Sequence, residues 1–240
     1  MLRNETANEP SLELLGDFGL VCSGHRVHMP IGVQRLLAFL ALQSGGIHRG
    51  AVAQQMWPDY PCPRAAANLR SALCQGRRAS YVPLVDCIGQ RLRLSPLVRV
   101  DLHTVGVDAR KIVDGLDPPS DTEALIDDLT RELLPGWTEE WLELDRERWN
   151  QLRVYALEGV AQRMLAAGRY LPALQAAIAA IAIDPIRETA HRIVIEVHLA
   201  EGNVASAVRC YQHYCDFLLQ ELRVNPSPQM TSLLQGLLST

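Results

Sequence analysis

Residues 64–80 read RAAANLRSALCQGRRAS, and the interpretation of the whole chain depends on this stretch. At 3.6 residues per turn, one side of a helix over these residues contains Ala66, Leu69, Leu73 and Ser80, with Gly76 at its edge. We expect that side to be buried. The opposite side contains no acidic residue and consists of Arg64, Ala67, Asn68, Ser71, Cys74, Gln75 and Arg78, with Arg70 and Arg77 on its flank.

The residue types on this opposite side suit a phosphate-lined groove. Arg, Asn, Gln and Ser side chains bind phosphates and also contact base edges in the major groove of DNA. The alternative is an ordinary solvated helix face, which is usually of mixed sign. Cys74 is interpreted as an incidental small residue, with a redox role as the alternative.

Length and charge distribution indicate two domains of different character. The chain has 240 residues, more than one average domain, and 48% of them are hydrophobic. Residues 1–105 contain eleven Arg and seven acidic residues, whereas residues 106–240 contain twelve basic and twenty acidic residues. The first part could therefore bind nucleic acid, and the second part would be repelled by it.

Several functional classes are disfavoured by the sequence. No apolar run is long enough for a membrane helix and MLRNETANEP is too polar for a signal peptide, so we expect a cytoplasmic protein with no membrane contact. The six cysteines and the GHRVH histidines, His25 and His28, lack the spacing of a disulfide framework or a metal site. No phosphate loop, GxSxG or HExxH motif is present, so we expect no catalytic residues and no cofactor.

The order of elements in the first part predicts a winged helix-turn-helix. Alternation in residues 11–30, with a turn at Ser23-Gly24, predicts a small antiparallel sheet. VQRLLAFLALQSGG and IHRGAVAQQMWPD predict two helices, the second with Val52 and Met56 facing inward, and PDYPCPR predicts an exposed loop before the third helix. Residues 84–94 predict a β-hairpin with Arg91 and Arg93 on its outward face. In this class of domain the last helix lies in the major groove and the hairpin contacts the adjacent backbone.

The second part is predicted to be almost entirely helical. VGVDARKIVDG and EALIDDLTRELL have helical spacing, and an acidic segment containing Trp137, Trp141 and Trp149 follows them. These tryptophans could anchor helices in a core or form an activation surface, and core packing accounts for the larger share.

A repeat of 34 residues relates Leu165, Gly168, Ala173 and Ala177 to Leu199, Gly202, Ala207 and Tyr211. This period is typical of tetratricopeptide units, here two units followed by a capping helix at PSPQMTSLLQGLL. The last helix of the second unit is expected to be about two turns longer than that of the first. The concave face of such a stack either binds a partner or is closed by another part of the assembly.

The sequence also resembles a known family. The segments LELLGDFGL, PIGVQRLLAFLAL, QQMWPD, ANLRSAL, GRRAS and GQRLRL…VRVDLH match, in order and spacing, the Streptomyces antibiotic regulatory proteins, and the resemblance covers residues 11–240. It implies a transcriptional activator that is mainly α, with an OmpR-type winged helix at 11–104 and a TPR-like bacterial transcriptional activation domain at 105–240. Longer members of that family often carry an ATPase module after this region, and we expect none in this chain.

The resemblance also implies partners and roles. The third helix would contact the major groove of directly repeated half-sites, two copies of the chain would bind side by side, and the loop with Trp57, Pro58, Asp59 and Tyr60 would contact RNA polymerase. Gly76 and Ser80 depart from the family, which usually has leucine and a second apolar residue there. Glycine destabilises a helix interior, so the end of this helix is expected to be short, bent or frayed.

Three hypotheses of function follow from the sequence. In the first, Arg64, Asn68, Ser71, Gln75 and Arg78 enter the major groove, and Arg70, Arg77, Arg91 and Arg93 hold phosphates. In the second, the protein is an interaction adaptor whose winged helix has lost its DNA contacts. In the third, the repeats bind a small molecule or peptide signal and regulate DNA binding.

Overall fold

A computed structural model of the protein describes residues 9–238, with side chains through residue 233. The last two residues of the predicted second domain, 239–240, lie outside the described residues. Helices predominate, and the strands are short and confined to the N-terminal part and to a hairpin near residue 90. The predicted fold class, mainly α with an N-terminal winged helix and a helical-repeat region, is confirmed.

The N-terminal sheet has the predicted antiparallel core. Strand β1 (Ser11–Glu13) pairs with β2 (Gly19–Cys22), which pairs with β3 (His25–Arg26). The turn between β2 and β3 lies at Ser23 and Gly24, both with positive φ, as predicted. A fourth strand, β7 (Arg99–Val100), pairs in parallel with β1 and completes the sheet. It was not predicted, because two residues are too few to show alternation.

Three helices follow the sheet in the order of a helix-turn-helix domain. They are α1 (Ile31–Ala41), α2 (Arg49–Met56) and α3 (Cys62–Ala79). Val52 and Met56 are buried, as predicted. Helix α2 starts two residues later than its sequence motif, because Ile47–His48 forms a short strand, β4, and the His48 side chain then accepts a hydrogen bond from the Gly50 N–H at 3.2 Å.

The predicted β-hairpin is confirmed. Strand β5 (Val85–Ile88) pairs antiparallel with β6 (Arg91–Leu94), and Asp86 faces Arg93. The connecting residues are Gly89 and Gln90, and the left-handed φ of 58° at Gly89 explains why glycine stands there. Strand β4 pairs with the other edge of β6, so the hairpin belongs to a three-stranded sheet.

The buried side of α3 differs in part from the prediction. Leu69 and Gly76 are buried as expected, but alanines rather than larger residues complete the stripe, which consists of Ala65, Leu69, Ala72 and Gly76. Ala66 and Leu73 are only half-buried. Small side chains let α3 pack closely on α1 and α2. A prediction that centres the buried stripe on the large apolar residues alone therefore places it incorrectly.

The expected shortening or fraying of α3 at Gly76 is wrong. The helix runs unbroken through Gly76 to Ala79. Ser80 is not a helical core residue but the C-cap in extended conformation, and its hydroxyl accepts a hydrogen bond from the Val82 N–H at 3.1 Å. Gly76 lines a narrow crevice with Val33, Leu36 and Leu84.

The chain forms two compact units. The first contains the residues up to Thr104 and Glu132–Arg148, and the second contains Val105–Arg131 and the residues from Trp149 onward. Helix α4 (Asp101–Val113) and helix α6 (Glu140–Ala166) each begin in the first unit and continue into the second. The predicted domains, 11–104 and 105–240, place residues 132–148 in the second domain, whereas the structure places them in the first unit.

Residues 132–148 join the first unit through specific contacts. The Leu134 N–H donates to the Leu14 carbonyl at 2.9 Å, and Arg35 forms an ion pair with Glu139 at 2.7 Å. Trp137 stacks on Phe18 with ring centroids 6.0 Å apart. The indoles of this segment therefore act mainly as packing residues, which agrees with the larger share assigned to core packing.

The second unit contains the helical repeats. Helix α5 (Thr122–Thr130) precedes them, and α6 with α7 (Tyr170–Ile183) and α8 (Glu188–Ala200) with α9 (Val204–Glu221) form the two pairs. Gly168 and Gly202 have φ of 70° and 77° at the two turns, and Ala173, Ala177 and Ala207 are fully buried where helices approach closely.

Helix α10 (Pro228–Leu238) follows as the predicted capping helix. Helix α9 has 18 residues and α7 has 14, so the difference is about one turn rather than the expected two, and a longer connection to α10 takes up the rest. In the described part of the chain, no helix has the length and hydrophobicity needed to span a membrane.

Candidate nucleic-acid interface

Helix α3 presents a long polar face on the first unit. It follows Pro61, and Pro63 lies in its first turn, where a missing N–H is not needed for an intrahelical hydrogen bond. No acidic residue occurs within the helix. After its first two residues, which are also exposed, the exposed residues of the helix are Arg64, Ala67, Arg70, Ser71, Cys74, Gln75, Arg77 and Arg78.

Most of the side chains predicted to enter the major groove lie on this exposed face. Arg64, Ser71, Gln75 and Arg78 are exposed, and Asn68 is half-buried beside them. Gln75 and Ser71 are joined by a hydrogen bond of 3.4 Å, which holds two polar side chains one turn apart in a fixed relation. The spacing of these residues makes one continuous surface of donors and acceptors along the helix.

The flanking arginines differ in their surroundings. Arg70 is exposed, and Arg77 extends toward β5, with its guanidinium 4.0 Å from Sγ of Cys87. Arg77 therefore lies between the helix and the hairpin. A cation there could contact the same phosphate backbone as the hairpin arginines.

The hairpin arginines are exposed but engaged within the protein. Arg91 donates a hydrogen bond to the Gly46 carbonyl at 2.5 Å. Arg93 forms an ion pair with Asp86 at 3.0 Å across the hairpin. Since both pairs lie at the surface, a phosphate could share or replace the partner of either arginine at small energetic cost.

The predicted polymerase-contact loop is an exposed connection between α2 and α3. Trp57 is half-buried at the C-cap of α2, whereas Pro58, Asp59 and Tyr60 are exposed. The Tyr60 N–H donates to the Trp57 carbonyl at 3.2 Å, which makes the loop a tight turn. The Arg64 guanidinium lies over the Tyr60 ring at 5.0 Å, so a cation–π contact joins the loop to the first turn of α3.

Tyr81 is a residue that the sequence patterns do not single out. Its side chain is fully exposed immediately after α3, between the arginine pair and the hairpin. It precedes the hairpin predicted at residues 84–94, and only its position three residues after Arg78 points to a surface role. An exposed aromatic ring with a hydroxyl can contact sugar and phosphate.

The histidines and cysteines of the described residues form neither a metal-binding group nor a disulfide. No group of three or more His, Cys, Asp or Glu residues is placed to hold a metal ion in that part of the chain. His25 and His28 are both exposed. All six cysteines are free thiols, and Cys74 is exposed on α3 as its helical phase predicted.

The first unit therefore belongs to a recognisable class of domain. Three helices, an exposed acid-free face on the third and a following β-hairpin define a winged helix, and the second unit adds a helical repeat. Comparison with known proteins makes this class more specific.

Residues 124–238 match the model of the family described as Bacterial transcriptional activator domain. The chain is also similar to a solved structure of EmbR from Mycobacterium tuberculosis, in complex with a low-affinity phosphopeptide. The TM-score is 0.75 at 17% identity, and the match covers 96% of this chain and 65% of that chain. A search of the curated proteins gives no match.

The match to EmbR shows that the two chains share a fold, and this chain spans 65% of the length of that one. Together with the matched domain, it confirms the resemblance inferred from the sequence. The chain has the fold of EmbR, and its C-terminal part matches the activator domain model, as the resemblance to the Streptomyces antibiotic regulatory proteins predicts.

Proposed function

We propose that the protein is a sequence-specific DNA-binding transcriptional activator. The observation that carries this proposal is the exposed side of α3, which contains four arginines and no acidic residue. Exposed helix faces in proteins usually mix both signs, whereas a face that enters a DNA groove must avoid carboxylates close to phosphate.

Each set of residues has a distinct task. Arg64, Asn68, Ser71, Gln75 and Arg78 contact base edges in the major groove, and Arg70, Arg77, Arg91 and Arg93 hold phosphates. The unbroken helix through Gly76 supports this assignment, because Arg77 and Arg78 keep a helical orientation relative to Ser71 and Gln75. The same continuity weighs against the adaptor hypothesis, in which damage at Gly76 and Ser80 abolishes DNA contact.

Activation of transcription follows from recruitment of RNA polymerase. The exposed loop with Trp57, Pro58, Asp59 and Tyr60 contacts RNA polymerase together with the acidic second half of the chain. Two copies bind a direct repeat side by side as a homodimer on DNA. By its resemblance to antibiotic regulatory proteins, the protein switches on a secondary-metabolite pathway.

The experiment that tests the proposal is selection of bound fragments from random double-stranded DNA, followed by a gel shift across a salt series. We expect a conserved directly repeated motif. The logarithm of the binding constant should fall linearly with the logarithm of salt concentration, at about 0.9 per phosphate contact. An adaptor without DNA contacts would give no enriched motif and no steep salt dependence. A ligand-responsive regulator would give the motif, but only after addition of cell extract.

A further inference from the structure

A groove lies between α5 and α7 in the second unit. It encloses about 440 Å³ and is open to solvent along one side. Its walls are formed by Glu123, Ile126, Asp127, Thr130, Gln175, Ile178, Ala179 and Ala182. Both helices belong to the same compact unit, so the groove is a feature of that unit alone.

The α7 wall is apolar and uncovered. Helix α7 has the sequence YLPALQAAIAAIAI, which contains no charged residue in 14 positions. Its exposed residues Leu171, Gln175, Ile178 and Ala182 share one helical face, and Leu171 and Ile178 are 66% and 52% exposed. This face is uncharged and largely apolar, with Gln175 as its one polar residue, and an exposed surface of this kind on a helix is typical of a contact surface.

The α5 wall carries two carboxylates one turn apart. Glu123 and Asp127 are both exposed, and among the described residues neither side chain has an ion-pair or hydrogen-bond partner. The other acids of this helix are used internally: Asp121 caps α5 at the Ala124 N–H, and Asp128 pairs with Arg131. Two free carboxylates therefore line an apolar groove.

The apolar wall of α7 and the carboxylates of α5 together determine which side chains a ligand of the groove must carry. Carboxylates at this spacing attract two cationic side chains one turn apart on a helix, and the stripe around Ile178 accepts the apolar side chains beside them. Nucleic acid and anionic lipid would be repelled by Glu123 and Asp127. The basic face of α3 on a second copy fits poorly, because it exposes only small apolar residues such as Ala67 and Cys74.

We propose that the groove between α5 and α7 docks an amphipathic helix of a partner protein that carries two basic residues one turn apart beside an apolar pair. The proposed function assigns the acidic second half of the chain as a whole to RNA polymerase. This proposal goes beyond it, because it specifies one groove that contains two of those acids and the chemistry of its occupant. The lining residues span about two turns of each helix, from 123 to 130 on α5 and from 175 to 182 on α7, which suits a short helical segment.

The test uses a designed probe on the full chain. The probe is an alanine-rich helical peptide with two leucines one turn apart and two arginines one turn apart on the adjacent flank. A matched peptide has glutamates in place of the arginines. Binding is measured by fluorescence anisotropy, and the site is mapped by amide chemical-shift changes. We expect shift changes in α5 and α7, and binding of the glutamate peptide weaker by about tenfold or more.

Variants then separate a real site from general charge attraction. Glu123→Gln combined with Asp127→Asn should weaken the arginine peptide about tenfold, and Ile178→Ser should weaken it similarly, without changing Tm or DNA binding. The control is Asp216→Asn with Glu221→Gln, two exposed acids on α9 outside the groove, which should leave binding unchanged.

Three outcomes would overturn the proposal. The first is equal binding of the two peptides, or no binding of either. The second is binding that the groove variants do not alter. The third is self-association of the wild-type chain that Ile178→Ser abolishes, which would show that a second copy covers the groove. Because DNA binding is measured on the same variants, failure of this proposal is distinguishable from failure of the proposed function.

Discussion

Arg78 lies on the exposed face of α3, one helical turn beyond Gln75. If its guanidinium binds the O6 and N7 atoms of a guanine, Arg78→Ala should lower affinity by about 1–3 kcal/mol and relax specificity at a single base pair. Competition binding against a set of single-base variants of the selected site measures both effects. Arg209→Ala, an exposed arginine of α9, should change neither. An unaltered base preference in the Arg78 variant would remove this residue from the groove contacts.

Gly76 offers a second test at a single residue. A Cβ added there would lie 3.5 Å from Cγ1 of Val33, an ordinary van der Waals distance, and the backbone is helical. Gly76→Ala should therefore raise the free energy of unfolding by about 0.5–1 kcal/mol, because alanine loses less backbone entropy than glycine in a helix. Urea unfolding measures this change.

Gly168 is the matched control for Gly76. A Cβ at Gly168 would meet no atom within 4 Å, but the residue has φ of 70°. Gly168→Ala should therefore destabilise the protein by about 1 kcal/mol through backbone strain alone. Destabilisation by Gly76→Ala would show instead that the contact of α3 with α1 is too tight for a methyl group.

At the scale of elements, the hairpin is expected to add affinity without specificity. Arg91 is exposed on β6, and its assigned role is to hold a phosphate. Arg91→Ala should weaken binding to all DNA sequences by a similar factor and reduce the salt-dependence slope by about 0.9. A gel shift with selected and random DNA across a salt series checks this. A loss restricted to the selected site would mean that Arg91 contacts a base.

The repeat helices depend on a largely buried ion pair. Arg187, at the start of α8, binds both carboxylate oxygens of Glu158 on α6 at 2.7 and 2.9 Å, and its guanidinium lies 4.1 Å from the centre of the Tyr155 ring. The hydrogen bond to Glu158 raises the pKa of Arg187 further above its ordinary value. This ion pair attaches the segment that connects α7 with α8 to helix α6.

Removing this arginine leaves a buried carboxylate without a cation. Arg187→Ala should therefore lower the free energy of unfolding by about 3 kcal/mol. Arg192→Ala removes a more exposed pair with Glu196 within α8 and should cost about 0.5 kcal/mol or less. Denaturant unfolding of both variants measures the difference, and equal effects would contradict the importance assigned to the Glu158 contact.

The long elements could be predicted from sequence and the short ones could not. The periodicity of α1 and the glycines that end α6 and α8 are strong signals, because each reflects a local backbone requirement. Strands β4 and β7 have two residues each, and their pairing depends on partners distant in sequence. The buried stripe of α3 depends on Ala65 and Ala72, whose burial is decided by how closely α1 and α2 approach.

In the candidate site, too, one part could be predicted from the sequence and another part could not. Helical phase was sufficient to place Arg64, Ser71, Gln75 and Arg78 on an exposed face. It could not predict that Arg91 and Arg93 have partners at Gly46 and Asp86, since these contacts depend on the folded hairpin. Under the proposed function, those contacts are shared with or exchanged for phosphates.

At the scale of the whole molecule, charge is distributed differently from the simple division into halves. Residues 132–148 contain six acidic residues and two arginines and belong to the first unit. Since residues 1–104 carry eleven arginines and seven acids, the first unit as a whole has no net charge. The proposed DNA binding therefore depends on where the arginines lie, and the absence of acids from α3 matters more for it than the overall charge.

The most direct test of the central claim is protection of guanine N7 from methylation by dimethyl sulfate in the selected DNA, since N7 lies in the major groove. We expect two blocks of protected guanines in the same orientation, and loss of the protection in both blocks when Arg64, Ser71, Gln75 and Arg78 are all replaced by alanine. Binding of the wild-type chain at the same site with every guanine N7 left reactive would contradict the claim that the exposed face of α3 lies in the major groove.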